Sequence, residues 1–448
     1  MVKNTKMASA ALLMVAAFAM ASCGTVKRVL HKGSKASKTN SIARVDKNVN
    51  PAVEKNANFA VGKSDYSDVD NSFLVLSDAQ RAIVNKNNTF AFQLFDKVSG
   101  HSSQVVSPLS VAYLMGMLAN GADGSTQQEI LKAIGCEGVA LKELNETYKA
   151  ILTTAGKLDK KTTVEIANYI AVNKKYTVNK DFASLVSDDY QAAIERLNFS
   201  SPSSLGTING WCSGKTQGMI PQIIDQVDPS AVSYWMNAIY FNGTWQKKFD
   251  AKYTKQENFR GYTRDIQKVD MMHQISKFFY AENDAFKTLE MPYGNGAYRM
   301  MVFLPNEGKT IGDMMKLLDA EKLSKLSNEM EQCMVNLKLP KFTTEQTLPL
   351  NSIVSDLGAP SIFLSGKADF SNFSKGDFFV SKMLQKAKIE VSEQGTKAAA
   401  VTAAVMLTSA APIEMRNVDF HADHPFVYLI QDTQSGAILF MGQYTGKH

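Results

Sequence analysis

The stretch Glu393-Gln394-Gly395-Thr396-Lys397-Ala398-Ala399-Ala400-Val401-Thr402-Ala403-Ala404-Val405-Met406-Leu407-Thr408-Ser409-Ala410-Ala411-Pro412 carries no charge between Lys397 and Glu414. It is built from Ala, Thr, Val, Ser and a few larger apolar residues. On composition alone it is either a core strand or an alanine-rich helix. The recurring β-branched Val401, Thr402, Val405 and Thr408 are stiff at χ1 and favour extended backbone, and Gly395 stands at the entry. Both features argue against the helix.

The rest of the chain says what this stretch does not serve. The protein has 448 residues, of which 45% are hydrophobic and 21% charged, a composition suited to a substantial core. Its formal net charge of +6 is mild, and the lysines are spread without a run of five or six, so no nucleic-acid partner is expected. Cys23, Cys136, Cys212 and Cys333 form no CxxC pair. A chain this long needs no disulfide staples, so the last three read as buried or half-buried free thiols.

Six histidines occur, and HExxH, GxGxxG after a strand, a P-loop and a GxSxG elbow are all missing. His421 and His424 lie three apart in an extended segment without a nearby cysteine, a poor setting for a metal. No catalytic residue, metal or cofactor is expected.

The first residues have the form of an export signal. Lys3 and Lys6 precede the uncharged apolar run Met7 to Met20, which is too short to span a bilayer comfortably. Met20-Ala21-Ser22-Cys23 resembles the lipobox of bacterial lipoproteins, which implies a signal peptide over 1–22 and a lipid-bearing Cys23. Several acyl chains anchor stably where one is marginal. Residues 23–75, rich in Lys, Ser, Asn and Asp without a sustained period, read as a flexible tether in a bacterial cell envelope or at the cell surface.

From about Leu76 apolar residues recur at helical spacing, through Ile83, Phe90, Leu94 and Phe95, with Ser77-Asp78 at the helix start. Gln104-Val105-Val106 is a short strand, and Ser107 with Pro108 opens a second helix. Strands are predicted at 164–172, 235–241, 288–291, 300–304, 335–339, 426–430 and 438–441. No tandem repeat and no Pro- or Gly-rich linker interrupts 76–448, which predicts one large α+β domain.

These pieces resemble a serpin across nearly all of 76–448. Glu393 through Ala400 follows that family's hinge pattern: a glutamate, a variable residue, Gly-Thr, a variable residue, then small residues. Val106-Ser107-Pro108-Leu109-Ser110, Asn237 to Trp245 and Phe420 to Phe426 resemble its other motifs in the same order. The resemblance implies a large central mixed β-sheet with smaller sheets, about eight to nine helices and an exposed reactive-centre loop. It implies an inhibitor of serine endopeptidases, with cysteine endopeptidases as the wider reading, that is cut and then inserts the loop as a new strand, dragging the protease along.

About 16 inserted residues would span roughly 50 Å. Thr396, Ala398, Ala400, Thr402, Ala404 and Met406 would face inward, while Lys397 would face outward. A charge on the inward face would cost several kcal/mol.

Counting from Glu393, the family pattern puts the cleaved bond at Ser409-Ala410, with Met406, Leu407 and Thr408 as alternatives. The segment before Phe420 is longer than usual by about five residues. Small and apolar residues there suit elastase-like or subtilisin-like proteases, or papain-like ones. Arg416 would suit a trypsin-like enzyme but lies close to the domain body. The hinge set is Glu393, Gly395, Thr396, Ala398, Ala399 and Ala400. Ser107, Ser110, Asn209, Trp245 and Gln385 are expected where the sheet opens. Gln385 stands where the family often has histidine, which keeps a donor and an acceptor but no pH sensing.

Two other classes remain at this point. A carrier of the same fold would not insert its loop, and the alanines at 398–400 argue against it. A cell-envelope hydrolase or adhesin would make every motif a coincidence. A monomer is expected, with latent forms or loop-sheet polymers on mild heating, because an uncharged β-prone segment is offered to a sheet with room for it.

Overall fold

The computed structural model describes residues 73–396 and 415–446. Its elements run α1 (Asp78–Val98), β1 (Gln104–Val106), α2 (Pro108–Gly121), α3 (Gly124–Ala133), α4 (Leu141–Ala155), β2 (Thr162–Asn173), α5 (Lys180–Tyr190), β3 (Ala193–Leu197), α6 (Ser203–Lys215) and β4 (Ser233–Thr244). There follow β5 (Lys255–Arg260), β6 (Ile266–Glu282), β7 (Phe286–Tyr293), β8 (Tyr298–Pro305), α7 (Ile311–Met315), α8 (Ala320–Glu329), β9 (Glu331–Pro340) and β10 (Phe342–Pro349). The chain closes with α9 (Asn351–Asp356), β11 (Lys382–Ser392), β12 (Gly395–Thr396), β13 (Asn417–His421), β14 (Phe426–Asp432) and β15 (Ile438–Tyr444).

Local chemistry sets the helix starts. The Ser77 hydroxyl accepts the Gln80 N–H and the Gln80 side chain accepts the Ser77 N–H, a reciprocal cap that opens α1. Ser107 caps α2 and Pro108 fills its first position, where a missing N–H costs nothing. Nearly every side of α2 is buried, so this helix runs through the core.

Two sheets enclose that core. One has six strands in the order β10-β11-β12-β4-β2-β3, with a direct pairing of β11 to β4. It is mixed, because β11–β4 and β2–β3 are parallel and the other pairs antiparallel. The other strands join into one nine-stranded sheet, β1-β15-β14-β8-β7-β6-β9-β13 with β5 beside β6. The expected α+β architecture, a large mixed sheet with nine α-helices among the described residues, is therefore present.

β4 is buried on both faces for two separate reasons. Trp235, Ile239 and Phe241 point into the main core. Tyr234, Met236, Ala238 and Tyr240 point the other way, under Ile208 and Cys212 of α6, in a second apolar cluster that reaches Leu384 of β11. Helix α6 thus packs on this outer face, with Trp211 stacked on Tyr169 of β2 at 4.6 Å. Cys136, Cys212 and Cys333 are buried free thiols.

Candidate functional site: the slot between two parallel strands

β11 and β4 pair directly only from Lys382↔Tyr234 to Ala387↔Ile239. Beyond Ala387 they part, and Gly395-Thr396 lies between them, antiparallel to both. The slot is thus open at one end and closed by six residue pairs below.

The chain is fixed at the mouth by side chains from four segments. The Glu393 carboxylate receives Lys341 Nζ at 3.1 Å and the Thr254 hydroxyl at 2.9 Å, while its carbonyl accepts the Phe249 N–H at 2.9 Å. Burial would raise this carboxyl. Its own N–H, Lys341 and Thr254 together outweigh burial and hold it below the usual glutamate value. Gly395 has φ +143°, and a Cβ there would lie 2.0 Å from the Gly243 carbonyl oxygen, so only glycine fits.

Trp245 closes the mouth. Its indole N–H donates to the Ser392 carbonyl at 2.9 Å, its backbone N–H to the Gln394 carbonyl at 2.9 Å, and its ring stacks on Tyr293 at 4.4 Å. The Tyr293 hydroxyl in turn meets Thr396 Oγ1 at 2.8 Å. Thr396 is fully buried, with its side chain toward the core.

Farther down, Gln385 of β11 grips the start of α2 with both ends of its amide. Its Oε1 accepts the Ser107 N–H at 2.8 Å and its Nε2 donates to the Ser107 carbonyl at 2.8 Å. Ser107 Oγ donates to Ser110 Oγ at 3.0 Å. The structure therefore brings Ser107, Ser110 and Gln385 together at the closed part of the slot.

Asn209 is not among them, contrary to the sequence expectation. It lies on α6, where its Oδ1 accepts the N–H groups of Ile223 and Ile224 and its Nδ2 donates to the Ile224 carbonyl. That set ties α6 to the returning chain, which is a local role. The asparagine at the slot is Asn237, directly opposite Gln385 in the β11–β4 register. Its Nδ2 donates to Asn168 Oδ1 at 2.9 Å, and Asn168 Nδ2 donates to the Tyr190 carbonyl. Asn237 Oδ1 is buried and meets no donor among the described residues. A polar residue inside the apolar run 235–241 was the available signal, since a buried amide must be there for a partner.

Ala398, Ala399, Ala400, Met406, Leu407, Thr408, Ser409, Ala410 and Cys23 lie outside the described residues. Arg416 is held at the domain body by Glu282 and by Glu331 at 3.1 Å, and its guanidinium lies over the Tyr280 ring. His421 and His424 turn to different partners, Asn336 for one and Asp423 with the Pro305 carbonyl for the other. No group of three metal-ligating side chains occurs among the described residues.

Residues 85–446 match the sequence profile of the family described as Serpin (serine protease inhibitor). A leukocyte elastase inhibitor of Xenopus laevis is 32% identical over 371 residues, covering 80% of this chain and 97% of the relative. The leukocyte elastase inhibitor of Homo sapiens is 32% identical over 375 residues, covering 80% and 98%. Among solved structures, the thermophilic serpin tengpin in its native state superposes with a TM-score of 0.75 at 29% identity, covering 83% of this chain and 95% of tengpin. A slot already entered by its hinge, and a match over most of the chain, place the protein among the serpins: it belongs to that family.

Proposed function

We propose that this chain inhibits serine endopeptidases by offering its loop as bait and, once cut, inserting the severed segment between β4 and β11. The main support is that Gly395 and Thr396 already stand as the first two residues of such a strand. Extending that register puts Val405 opposite Lys382 and Met406 opposite Ser233, so the ladder accepts Gly395 to Met406. With Thr396 inward, strand alternation turns Ala398, Ala400, Thr402, Ala404 and Met406 inward as well. Lys397 falls outward opposite Glu390, while Ala403 and Val405 fall on the outer face beside Leu384, Met236 and Tyr234 of the second apolar cluster.

Insertion is favourable for a general reason. It exchanges one parallel ladder for two antiparallel ones, which pair somewhat better per residue, and adds a strand's worth of hydrogen bonds. Severing the loop supplies the slack. Ser409-Ala410 remains the proposed bond, with Met406, Leu407 and Thr408 as alternatives. The elastase inhibitors among the relatives favour an elastase-like target.

Incubation with pancreatic elastase tests this directly. A covalent complex that survives boiling in detergent supports trapping. Clean cleavage without complex points to a carrier, and intrinsic hydrolysis to an enzyme. We further propose that Cys23 carries a lipid anchor. Partition of the expressed protein into a detergent phase, lost in Cys23→Ala, is the expected result, and equal partition of both would refute it.

A further inference from the structure

Three strands of the nine-stranded sheet meet around a single amide. In the register of β6, β9 and β13, His273, Lys338 and His421 form one row and Ile275, Asn336 and Asp419 the next row on the same face. Asn336 Oδ1 lies 2.8 Å from His273 Nε2. Its Nδ2 donates to Asp419 Oδ1 at 2.7 Å and faces His421 Nε2 at 3.2 Å. An amide nitrogen only donates, so His421 Nε2 accepts and carries no proton. Both amide hydrogens are thus spent on β13, and they tie that strand to β9 beyond its backbone ladder.

A second proton on His421 finds no place in this arrangement. At Nε2 it would meet the amide N–H head on. Turning the amide over would relieve that contact but set its oxygen against the Asp419 carboxylate. The charges around the ring come from every neighbouring strand. Asp419 and Asp423 lie on its own segment, Lys338 of β9 is held by Glu257 of β5 at 2.7 Å, and Lys287 of β7 donates to the Asp419 carbonyl at 3.2 Å. Burial, aided by the two lysines, outweighs the two aspartates and holds the imidazole below its ordinary value of 6.5. His273 can donate to Asn336 with one proton or two. His424 has acceptors at both ring nitrogens, Asp423 Oδ1 and the Pro305 carbonyl, each at 2.8 Å. Of these three histidines, acid works against His421 alone.

We infer that His421, Asn336 and Asp419 form an acid-released clasp on β13. Its hold is complete above about pH 6.5 and is lost as pH falls through the lowered value of His421. β13 then loosens from β9, while His424 keeps the following turn against the end of β8. Arg416, on Glu282 and Glu331, is left to hold the start of the strand. Since β13 follows the loop in the chain, acidity shortens the time before an uncut loop follows Gly395 and Thr396 into the slot. That consequence rests on the inhibitory function proposed above, whereas the clasp itself does not.

Hydrogen exchange of the uncut protein, read on peptides covering β13 and β14 and corrected for intrinsic rates, tests the clasp at about pH 7.5 and about pH 5. Protection of β13 in the parent should fall about fivefold or more at the lower pH, the factor one neutral hydrogen bond is worth. β14 should keep its protection. His421→Gln keeps an acceptor for Asn336 and cannot titrate, so its β13 should show no such fall. Asn336→Ala should show the lower protection already at neutral pH, with a smaller further fall. Equal protection of the parent at both pH values overturns the clasp, as does an equal fall in His421→Gln or across β14. An Asn336→Ala variant that responds to pH as the parent does overturns it too. Elastase trapping, assayed at neutral pH after the uncut protein has stood in acid, should decline faster for the parent than for His421→Gln. Equal decline overturns the link to inhibitor lifetime. A parent that never traps elastase fails the inhibitory function, and the exchange data still decide the clasp.

Discussion

Thr402→Val removes one hydroxyl from the proposed inserted strand and keeps its shape and β-branching. Extending the β12 register places Thr402 between Gln385 on β11 and Asn237 on β4, on the inward face. Asn237 Oδ1 is the buried acceptor there that meets no donor among the described residues. Insertion would bring the threonine O–H to it. A buried polar atom left unpaired costs about 1–3 kcal/mol, so the valine variant should lose about that much of the stabilisation gained on insertion. The uncut protein should be unaffected, because Gln385 and Asn237 there pair directly with each other. For a domain of this size 1 kcal/mol shifts the melting temperature by roughly 1–2 °C, so the cut variant should melt about 1–6 °C below the cut parent. Differential scanning calorimetry of both forms is the assay. The effect should vanish when Asn237→Ala is combined with it, since the pair then has nothing to couple. Equal melting of cut Thr402→Val and cut parent would refute the register derived from β12.

Other variants probe the hinge and the closed part of the slot. Thr396→Arg or Ala398→Arg puts a charge on the inward face at a cost of several kcal/mol, so gel analysis should show clean cleavage by elastase in place of a stable complex. Gln385→Leu leaves the Ser107 N–H without its partner, a loss of about 1–3 kcal/mol, while the Ser107 carbonyl keeps the Val111 N–H. It should lower the uncut melting temperature and speed the appearance of latent or polymeric forms on mild heating, read by size-exclusion chromatography. The Glu393 carboxyl is held below its ordinary value of 4.5, so the protonated form is disfavoured in the fold. Its stabilisation is complete above about pH 4.5 and is lost as pH falls through the depressed value. The gap in melting temperature between parent and Glu393→Gln should therefore close as the solution is acidified below that point. A constant gap would contradict the Lys341 and Thr254 contacts as its source.

Local signals in the sequence were readable where neighbours in the chain decide the structure. The starts of α1 and α2 follow from Ser77 with Gln80 and from Ser107 with Pro108. The apolar runs 235–241 and 300–304 marked β4 and β8 as strands, and both are buried on both faces. Packing, however, begins at Leu74, two residues before the helical pattern shows, because its N–H is taken by Gln434, 360 residues away.

The same distance problem governs the site. The hinge glycine and threonine could be named from their pattern, but their entry into the sheet depends on Gly243, Tyr293 and Trp245, each brought in from another strand. Asn209 and Asn237 illustrate the limit. Both are asparagines near family motifs, and only the pairing of β11 with β4 reveals which one faces the slot. Lys341 and Thr254, the partners of Glu393, had no signal in the sequence at all.

The central claim is that the uncut fold holds back from a more stable arrangement which its own severed loop completes. One calorimetric scan of the protein before and after a single nick at or near Ser409-Ala410 tests it most directly. Gly395 and Thr396 are already paired, so the ten residues from Lys397 to Met406, gaining ladder bonds at about 0.5–1.5 kcal/mol each, should raise the melting temperature by about 10 °C. A melting temperature that stays level or falls after the nick would contradict it.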